Sequence, residues 1–275
     1  MKPHAFDYLR ADSAEEAVGQ LRELGPDARI LAGGQSLIPI LNMRLAKPTA
    51  LIDISRVDDL NYVRAERGML VIGAAVTQAS VEWRPGLARE VPLLAQVFPF
   101  IAHFQIRNRG TVCGSVAHAD PSAELPLVLV ALGGEVILRS ASRRRTVAAS
   151  DFFQDMLVTA CAPDELIEEV RFPLTGVDRR TAFTEFSTRR GDFAIVSAAA
   201  IADADGVRVA VGGVAGRPDL VRLPRGLSDA DLEAALNDFA WELEAQDDVH
   251  ASAKFRRHLV RRLCAQVVRQ VTENK

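Results

Sequence analysis

The stretch Ala32-Gly33-Gly34-Gln35-Ser36-Leu37 follows a short apolar run, Ala28 to Ala32, and precedes a segment, Leu37 to Leu45, that can form a helix. Two glycines in succession cost backbone entropy. They are useful where φ is positive or where another group must approach the main chain without meeting a Cβ. A strand end, a glycine turn and a helix start aim the N–H groups of Gly33, Gly34, Gln35 and Ser36 at one place, with the positive end of the helix dipole behind them. That is the local chemistry of an anion site, and a plain Gly-Gly turn is the other reading of the same residues.

A second stretch, Ile106-Arg107-Asn108-Arg109-Gly110-Thr111-Val112-Cys113-Gly114-Ser115, again sets small residues and hydroxyls beside free backbone. Two such loops suit a ligand with two phosphates. No G-x-G-x-x-G follows a strand and no G-x-x-x-x-G-K-[ST] occurs, so neither the nicotinamide fingerprint nor a nucleoside triphosphate loop is written here. A flavin dinucleotide is a natural candidate.

Outward from the first loop, Ser13-Ala14-Glu15-Glu16 has capping-box form. It opens a helix with Ala17, Val18, Leu21 and Leu24 on one side, closed by Gly25-Pro26. Strands are expected at Ala28 to Ala32 and Leu51 to Ile54, with the second helix ended by Lys47-Pro48, so residues 1 to about 55 form a small unit with a parallel pair. Further on, Leu70-Val71-Ile72 and Glu135 to Arg139 read as strands and Leu87 to Phe104 as helical. Leu174 to Arg180 reads as a polar linker. Beyond it, Val207, Val209 and Val211 alternate as in a half-buried strand. Ser228 with Asp231 caps a helix carrying Leu232, Leu236, Phe239 and Leu243 on one face. A last helix repeats Phe255, Leu259, Leu263 and Val267. The fold class is α+β, divided into a unit of residues 1–176, with subdomains of about 1–55 and 56–176, and a C-terminal unit of 177–275.

Composition narrows the function. The 275 residues are 48 % hydrophobic and 25 % charged, with a formal net charge of −3, which describes an ordinary globular protein. Arg143-Arg144-Arg145 and Arg256-Arg257 are short runs read as solvated faces, so no nucleic-acid surface is expected. No run is long enough for a membrane span and the N-terminus lacks a secretory signal, so the expected location is cytoplasmic. Cys113, Cys161 and Cys264 are isolated, which leaves no Fe–S or zinc site of the chain's own. His118 and Asp120 read as structural, and no residue is assigned as catalytic acid, base or nucleophile.

Ala32 to Leu37 with Leu41-Asn42-Met43-Arg44-Leu45, then Gln105 to Pro121, then Arg189-Arg190-Gly191-Asp192-Phe193-Ala194 together resemble the FAD-binding medium subunit of molybdenum hydroxylases. That family includes the flavoproteins of carbon monoxide and nicotine dehydrogenases and the flavin domain of xanthine dehydrogenase. The resemblance continues through Glu165-Leu166-Ile167 and the tail His250 to Arg257.

It implies a vanillyl-alcohol-oxidase (PCMH-type) FAD-binding fold of two subdomains plus a C-terminal domain of antiparallel sheet and helices. It gives the pyrophosphate to Ala32, Gly33, Gly34, Gln35, Ser36 and Leu37 and to Thr111, Val112, Cys113, Gly114 and Ser115. It gives the adenosine ribose to Glu124, a backbone contact with the flavin to Ile167, and a place near the isoalloxazine to Phe193. It further implies noncovalent FAD, molybdopterin on a large partner subunit, two [2Fe–2S] clusters on a small one, and assembly as a dimer of heterotrimers serving an external electron acceptor. The rivals are a free-standing flavin oxidase of the same fold and a scaffold subunit that has lost FAD. Three positions depart from the family pattern. Cys113 stands where a glycine is usual, which puts a Cβ and a thiol close to the expected phosphates, where the thiol either weakens binding or points away; beside clustered N–H groups its pKa would be lowered. Gln35 stands where some relatives have His. Thr184 and Glu185 stand in the region where many have Lys.

Overall fold

The computed structural model describes residues 2–175 and 179–273. The boundary expected between residues 176 and 177 lies outside the described residues.

The first subdomain is a three-stranded parallel sheet, β1 (Asp7–Arg10), β2 (Ala28–Leu31) and β3 (Ala50–Asp53), ordered β1-β3-β2 and joined through α1 (Ala14–Leu24) and α2 (Leu37–Asn42). Ser13 caps α1 by accepting the Glu16 N–H at 3.0 Å, while the Glu16 carboxylate takes the Asp12 N–H at 2.8 Å, one residue upstream of a strict capping box. Gly25 ends the helix at φ 79°. Sequence periodicity misses β1 because an edge strand with mostly exposed residues shows no alternation. It also extends α2 too far: the helix stops at Asn42 and Arg44 turns at φ 60°, well before Lys47-Pro48.

The second subdomain is an antiparallel sheet of β4 (Val63–Glu66), β5 (Met69–Gly73), β6 (Glu135–Arg139), β7 (Arg144–Ala148) and β10 (Leu166–Pro173), ordered β4-β5-β10-β6-β7; the hairpin β8 (Phe153–Asp155) and β9 (Val158–Thr159) lies outside it. The helical stretch expected over 87–104 is broken into α4 (Leu87–Glu90), α5 (Pro92–Val97) and a 3-10 turn at Phe98–Phe100. Proline explains both breaks. Pro92 can only begin a helix, and Pro99 lacks the N–H that would continue one. Short helices α3 (Gln78–Glu82), α6 (Phe104–Arg107), α7 (Val112–His118), α8 (Glu124–Leu132) and α9 (Ala149–Phe152) complete the layer, with α7 and α8 buried against the sheet.

The C-terminal unit is an antiparallel meander, β11 (Arg180–Phe186), β12 (Val196–Asp203), β13 (Gly206–Gly212) and β14 (Asp219–Leu223), followed by α10 (Asp229–Glu242) and α11 (Ala253–Thr272). Its central strands are not half-buried, as alternation alone suggests. Val207, Val209 and Val211 join the core under α10 and α11, while Ala199, Ile201 and Ala210 on the other face join the core of the N-terminal unit. Ser228 caps α10 through the Asp231 N–H, and Leu232, Leu236, Phe239 and Leu243 are all buried. The α11 stripe is rotated from its expected place. Phe255 is exposed and Leu263 half-buried, and the covered face is Leu259, Val260, Cys264, Val267, Val268 and Val271.

Arg143 and Arg144 lie on an exposed face, as expected, and are paired there with carboxylates, whereas Arg256 does not lie on one. Arg143 and Arg145 reach Glu165 at 3.1 and 2.7 Å, and Arg144 pairs with Glu168 and Glu169. Arg256 is buried, its guanidinium donating to the Ile195 carbonyl at 2.6 Å, the Gly213 carbonyl at 2.5 Å and the Asp248 carboxylate at 2.5 Å.

Candidate functional site

The two glycine stretches meet. A Cβ on Gly33 would be driven into the Arg109 carbonyl and would lie 2.6 Å from the Gly110 Cα, so the first loop passes the second with only glycine's room between them. Gly33 is therefore a glycine because of its neighbouring loop. Gly34 is one because its φ is 70°. Between β2 and α2 the chain is half-buried, and the N–H groups of Gly33, Gly34, Gln35 and Ser36 meet no acceptor among the described residues. The Gln35 amide closes the turn from the side, donating to the Gly33 carbonyl at 2.9 Å. With six residues, α2 adds little dipole, so the turn's own N–H groups carry the anion-binding capacity.

The second loop is strapped to residues 76–78. Gln78 donates its N–H to the Gly110 carbonyl at 2.8 Å, Val112 donates to the Val76 carbonyl at 3.3 Å, and Thr77 and Thr111 form a β-bridge. Thr111 caps α7, its hydroxyl accepting the Gly114 N–H at 2.9 Å. A Cβ on Gly114 would stand 2.7 Å from that hydroxyl oxygen, so this glycine too answers to a local contact. Ser115 follows, half-buried, its N–H bonded to the Thr111 carbonyl at 3.1 Å.

At Cys113 the structure takes the second of the two alternatives, a thiol that points away. Its side chain is 3 % exposed and its thiol points into the core, donating to the Ile72 carbonyl at 3.4 Å. Burial pushes the thiol up, far from the lowered pKa expected of a thiol beside clustered N–H groups. The departure from glycine is thus absorbed by the core under α7.

The remaining candidates lie around these loops. Glu124 is the first residue of α8 and 4 % exposed; burial first, then the nearby carboxylates of Glu185 and Asp120, push its carboxyl up to about 8. Ile167 is buried in β10, which α7 packs against, at a bulge where the pairing with β6 shifts. Phe193 is 58 % exposed and so is no core residue. It follows a tight turn in which a Cβ on Gly191 would come within 2.9 Å of the Ala102 carbonyl. His118 is held low by burial, against the pull of Asp120. No group of three or more His, Cys, Asp or Glu side chains able to hold a metal occurs among the described residues.

Reading the sequence misses Gln78, which ties the second loop, and Arg256, which clamps the chain where it leaves the turn containing Phe193. The signal for Arg256 was its place in an otherwise apolar stripe.

The FAD-binding domain model of molybdopterin dehydrogenases matches residues 4–175, and the C-terminal domain model of CO dehydrogenase flavoproteins matches residues 181–271. The alpha subunit of the 6-hydroxypseudooxynicotine dehydrogenase complex of Paenarthrobacter nicotinovorans is 39 % identical, over 95 % of this chain and 92 % of its own. The nicotine 6-hydroxylase medium subunit of the same organism is 38 % identical, over 98 % of each chain. Among solved structures, quinoline 2-oxidoreductase from Pseudomonas putida 86 superposes with a TM-score of 0.91 at 33 % identity, covering 99 % of this chain and 98 % of that one. The Cu,Mo-CO dehydrogenase superposes with a TM-score of 0.94 at 31 % identity, covering 99 % of each chain. With both family models matched along one chain and its fold superposing end to end, the protein belongs to the FAD-binding medium subunits of the molybdenum hydroxylases.

Proposed function

We propose that this chain is the electron-transfer flavoprotein of a three-subunit molybdenum dehydrogenase. It takes electrons from the [2Fe–2S] clusters of a small subunit and passes them to an external acceptor, while substrate is oxidised at molybdopterin on a large subunit. The observation that carries this reading is the junction of the two glycine loops, where four N–H groups without protein acceptors surround a turn that tolerates no larger residue at Gly33.

These residues fit FAD. Ala32 to Leu37 and Thr111 to Ser115 would hold the pyrophosphate, Glu124 would meet the adenosine ribose, and Ile167 and Phe193 would lie against the isoalloxazine. When bound, FAD supplies a centre able to accept electrons one at a time and release them in pairs. The chain's part is to hold it by backbone donors, with no acid or base of its own. FAD is held noncovalently, since the one cysteine in the loops points into the core. Residues 1–176 are the FAD-binding domain and 177–275 the C-terminal flavoprotein domain, and the complex is a cytoplasmic dimer of heterotrimers.

The test is to express the chain with its two neighbours. Co-elution of the three subunits, release of the yellow chromophore by acid, and bleaching of flavin absorbance by the reduced small subunit alone are expected. A chain that turns over substrate without partners would support the free-standing oxidase. A colourless chain that FAD does not reconstitute would support the scaffold.

A further inference from the structure

The loop that carries Phe193 is held at both ends by two consecutive residues of α11. Residues 187–195 join β11 to β12, and the Ile195 N–H closes the base of the loop on the Phe186 carbonyl at 2.8 Å. At the β11 end the Phe255 ring meets Phe186 edge to face, with centroids 5.8 Å apart. At the β12 end Arg256 donates through one nitrogen to the Ile195 carbonyl, just after Phe193, and to the Gly213 carbonyl. Within the loop the Asp192 N–H and the Ser187 hydroxyl both donate to the Arg189 carbonyl at 3.0 Å. Phe193 itself is 58 % exposed, so its ring is placed by the backbone that carries it rather than by packing.

That backbone calls for a cation. Gly213 stands at φ 78°, and a Cβ there would lie 2.8 Å from the Ile195 carbonyl oxygen and 2.9 Å from that of Ala194. The carbonyls of Ala194, Ile195 and Gly213 therefore crowd one buried spot. Arg256 is 6 % exposed and satisfies two of them, while its second terminal nitrogen reaches Asp248, whose other oxygen accepts the His250 and Ala251 N–H groups at 2.9 Å. Gly213 in turn donates its N–H to the Pro121 carbonyl at 2.8 Å, in the segment leading to α8. One planar guanidinium thus joins the exit of the Phe193 loop, a turn anchored on the N-terminal unit, and the chain before α11. A lysine ammonium is a point charge and does not span all three.

We propose that Arg256 is a positioning residue for the flavin: it fixes the backbone from which Phe193 faces the isoalloxazine, so that the ring's exposure to water and its reduction potential depend on a guanidinium held wholly by protein groups. This rests on the FAD reading above.

The experiment compares the parent with Phe193→Ala, Arg256→Lys, Asp248→Asn, the double variant Phe193→Ala/Arg256→Lys and Val267→Ala, each purified with bound FAD. Flavin absorption, midpoint potential and thermal melting are measured. Phe193→Ala is expected to shift the flavin band and the potential, and Arg256→Lys to shift both in the same direction. Asp248→Asn, at an exposed carboxylate and so the milder change, should do the same to a smaller extent. The double variant should move no further than Phe193→Ala alone, because both changes act through one ring. Val267→Ala, in the buried stripe further along α11, should lower melting and keep the parent's spectrum and potential, which separates instability from positioning. Arg256→Lys or Asp248→Asn with lowered melting but parental flavin properties, a shift opposite to that of Phe193→Ala, or additive shifts in the double variant would each overturn the proposal. Should Arg256→Lys not fold, Asp248→Asn decides on the same criteria. Phe193→Ala that holds FAD with parental spectrum and potential would also overturn it, leaving FAD binding intact. A parent that binds no FAD overturns the reading beneath it.

Discussion

Cys113 and Glu124 show how far one residue's surroundings depart from its place in a motif. The motif sets Cys113 beside N–H groups, whereas the fold turns its thiol toward Ile72 and out of water. Burial raises all three thiols, Cys161 to about 12 and the other two further. A thiol reagent at pH 8 is therefore expected to label no cysteine rapidly in the folded chain, with or without FAD, and three after denaturation in urea. One fast thiol that FAD protects would restore the reading of Cys113 as a ligand contact. Glu124 gives a pH effect of definite sign. Its folded pKa of about 8 stands above the ordinary 4.5, so the folded state holds the proton that the unfolded chain releases. Its contribution to stability is fully present below pH 4.5 and is lost as pH rises through 8, at up to ~1.4 kcal/mol per unit. Apoprotein of Glu124→Gln should melt with the parent at pH 4.5 and clearly above it at pH 8; equal melting at both would show that the carboxyl is not desolvated. Neither environment was legible in the sequence, because each depends on distant chain: Cys113 on Ile72, 41 residues away, and Glu124 on neighbours that include Glu185.

At the scale of elements, the sequence shows those stretches whose ends carry their own chemistry. Ser13, Gly25 and Ser228 mark helix ends by side-chain caps and a positive φ, and these ends are where the sequence places them. The turn from β2 to α2 is similarly local, and its glycines were visible, but the reason for Gly33 was not, since the obstacle is the backbone of Arg109 and Gly110. The helix α2 offers a direct test of the anion role. Ser36 occupies its N-cap position and makes no side-chain capping bond there. Aspartate is as good a cap residue as serine, so Ser36→Asp should leave folding intact while placing a negative charge among the free N–H groups. Chain melting should hold within ~0.5 kcal/mol of the parent, and FAD affinity should drop more than tenfold at low salt, recovering in part as salt screens the repulsion. Unchanged FAD affinity at low salt would remove this turn from the phosphate site.

The whole molecule is held by a sheet that serves two cores. In β12, Ala198 and Ala200 face α11 while Ala199 and Ile201 face the N-terminal unit, so both sides of the strand are dry. Sequence alternation suggests one wet face, because alanines carry too little contrast to reveal burial on both sides. Polar contacts cross the same seam. Arg208 donates to the Ala131 carbonyl at 3.1 Å, the Gly213 N–H to the Pro121 carbonyl at 2.8 Å, and the Gln96 amide to the Thr181 carbonyl at 3.1 Å. Removing the C-terminal unit would expose Leu127 of α8 together with the inner face of β12 and β13, an apolar surface unsuited to water. The two units should therefore unfold as one. Calorimetry of the full apoprotein is expected to give a single transition whose calorimetric and van't Hoff enthalpies agree, and amides of α8, β12 and α11 should exchange with one common opening free energy. An excised chain of residues 181–275 should aggregate or lack a cooperative melt. Two separated transitions, with α11 exchanging through an opening that leaves α8 protected, would show that the seam is a weak contact between independent domains, and that the buried alanines of β12 contribute little to holding it.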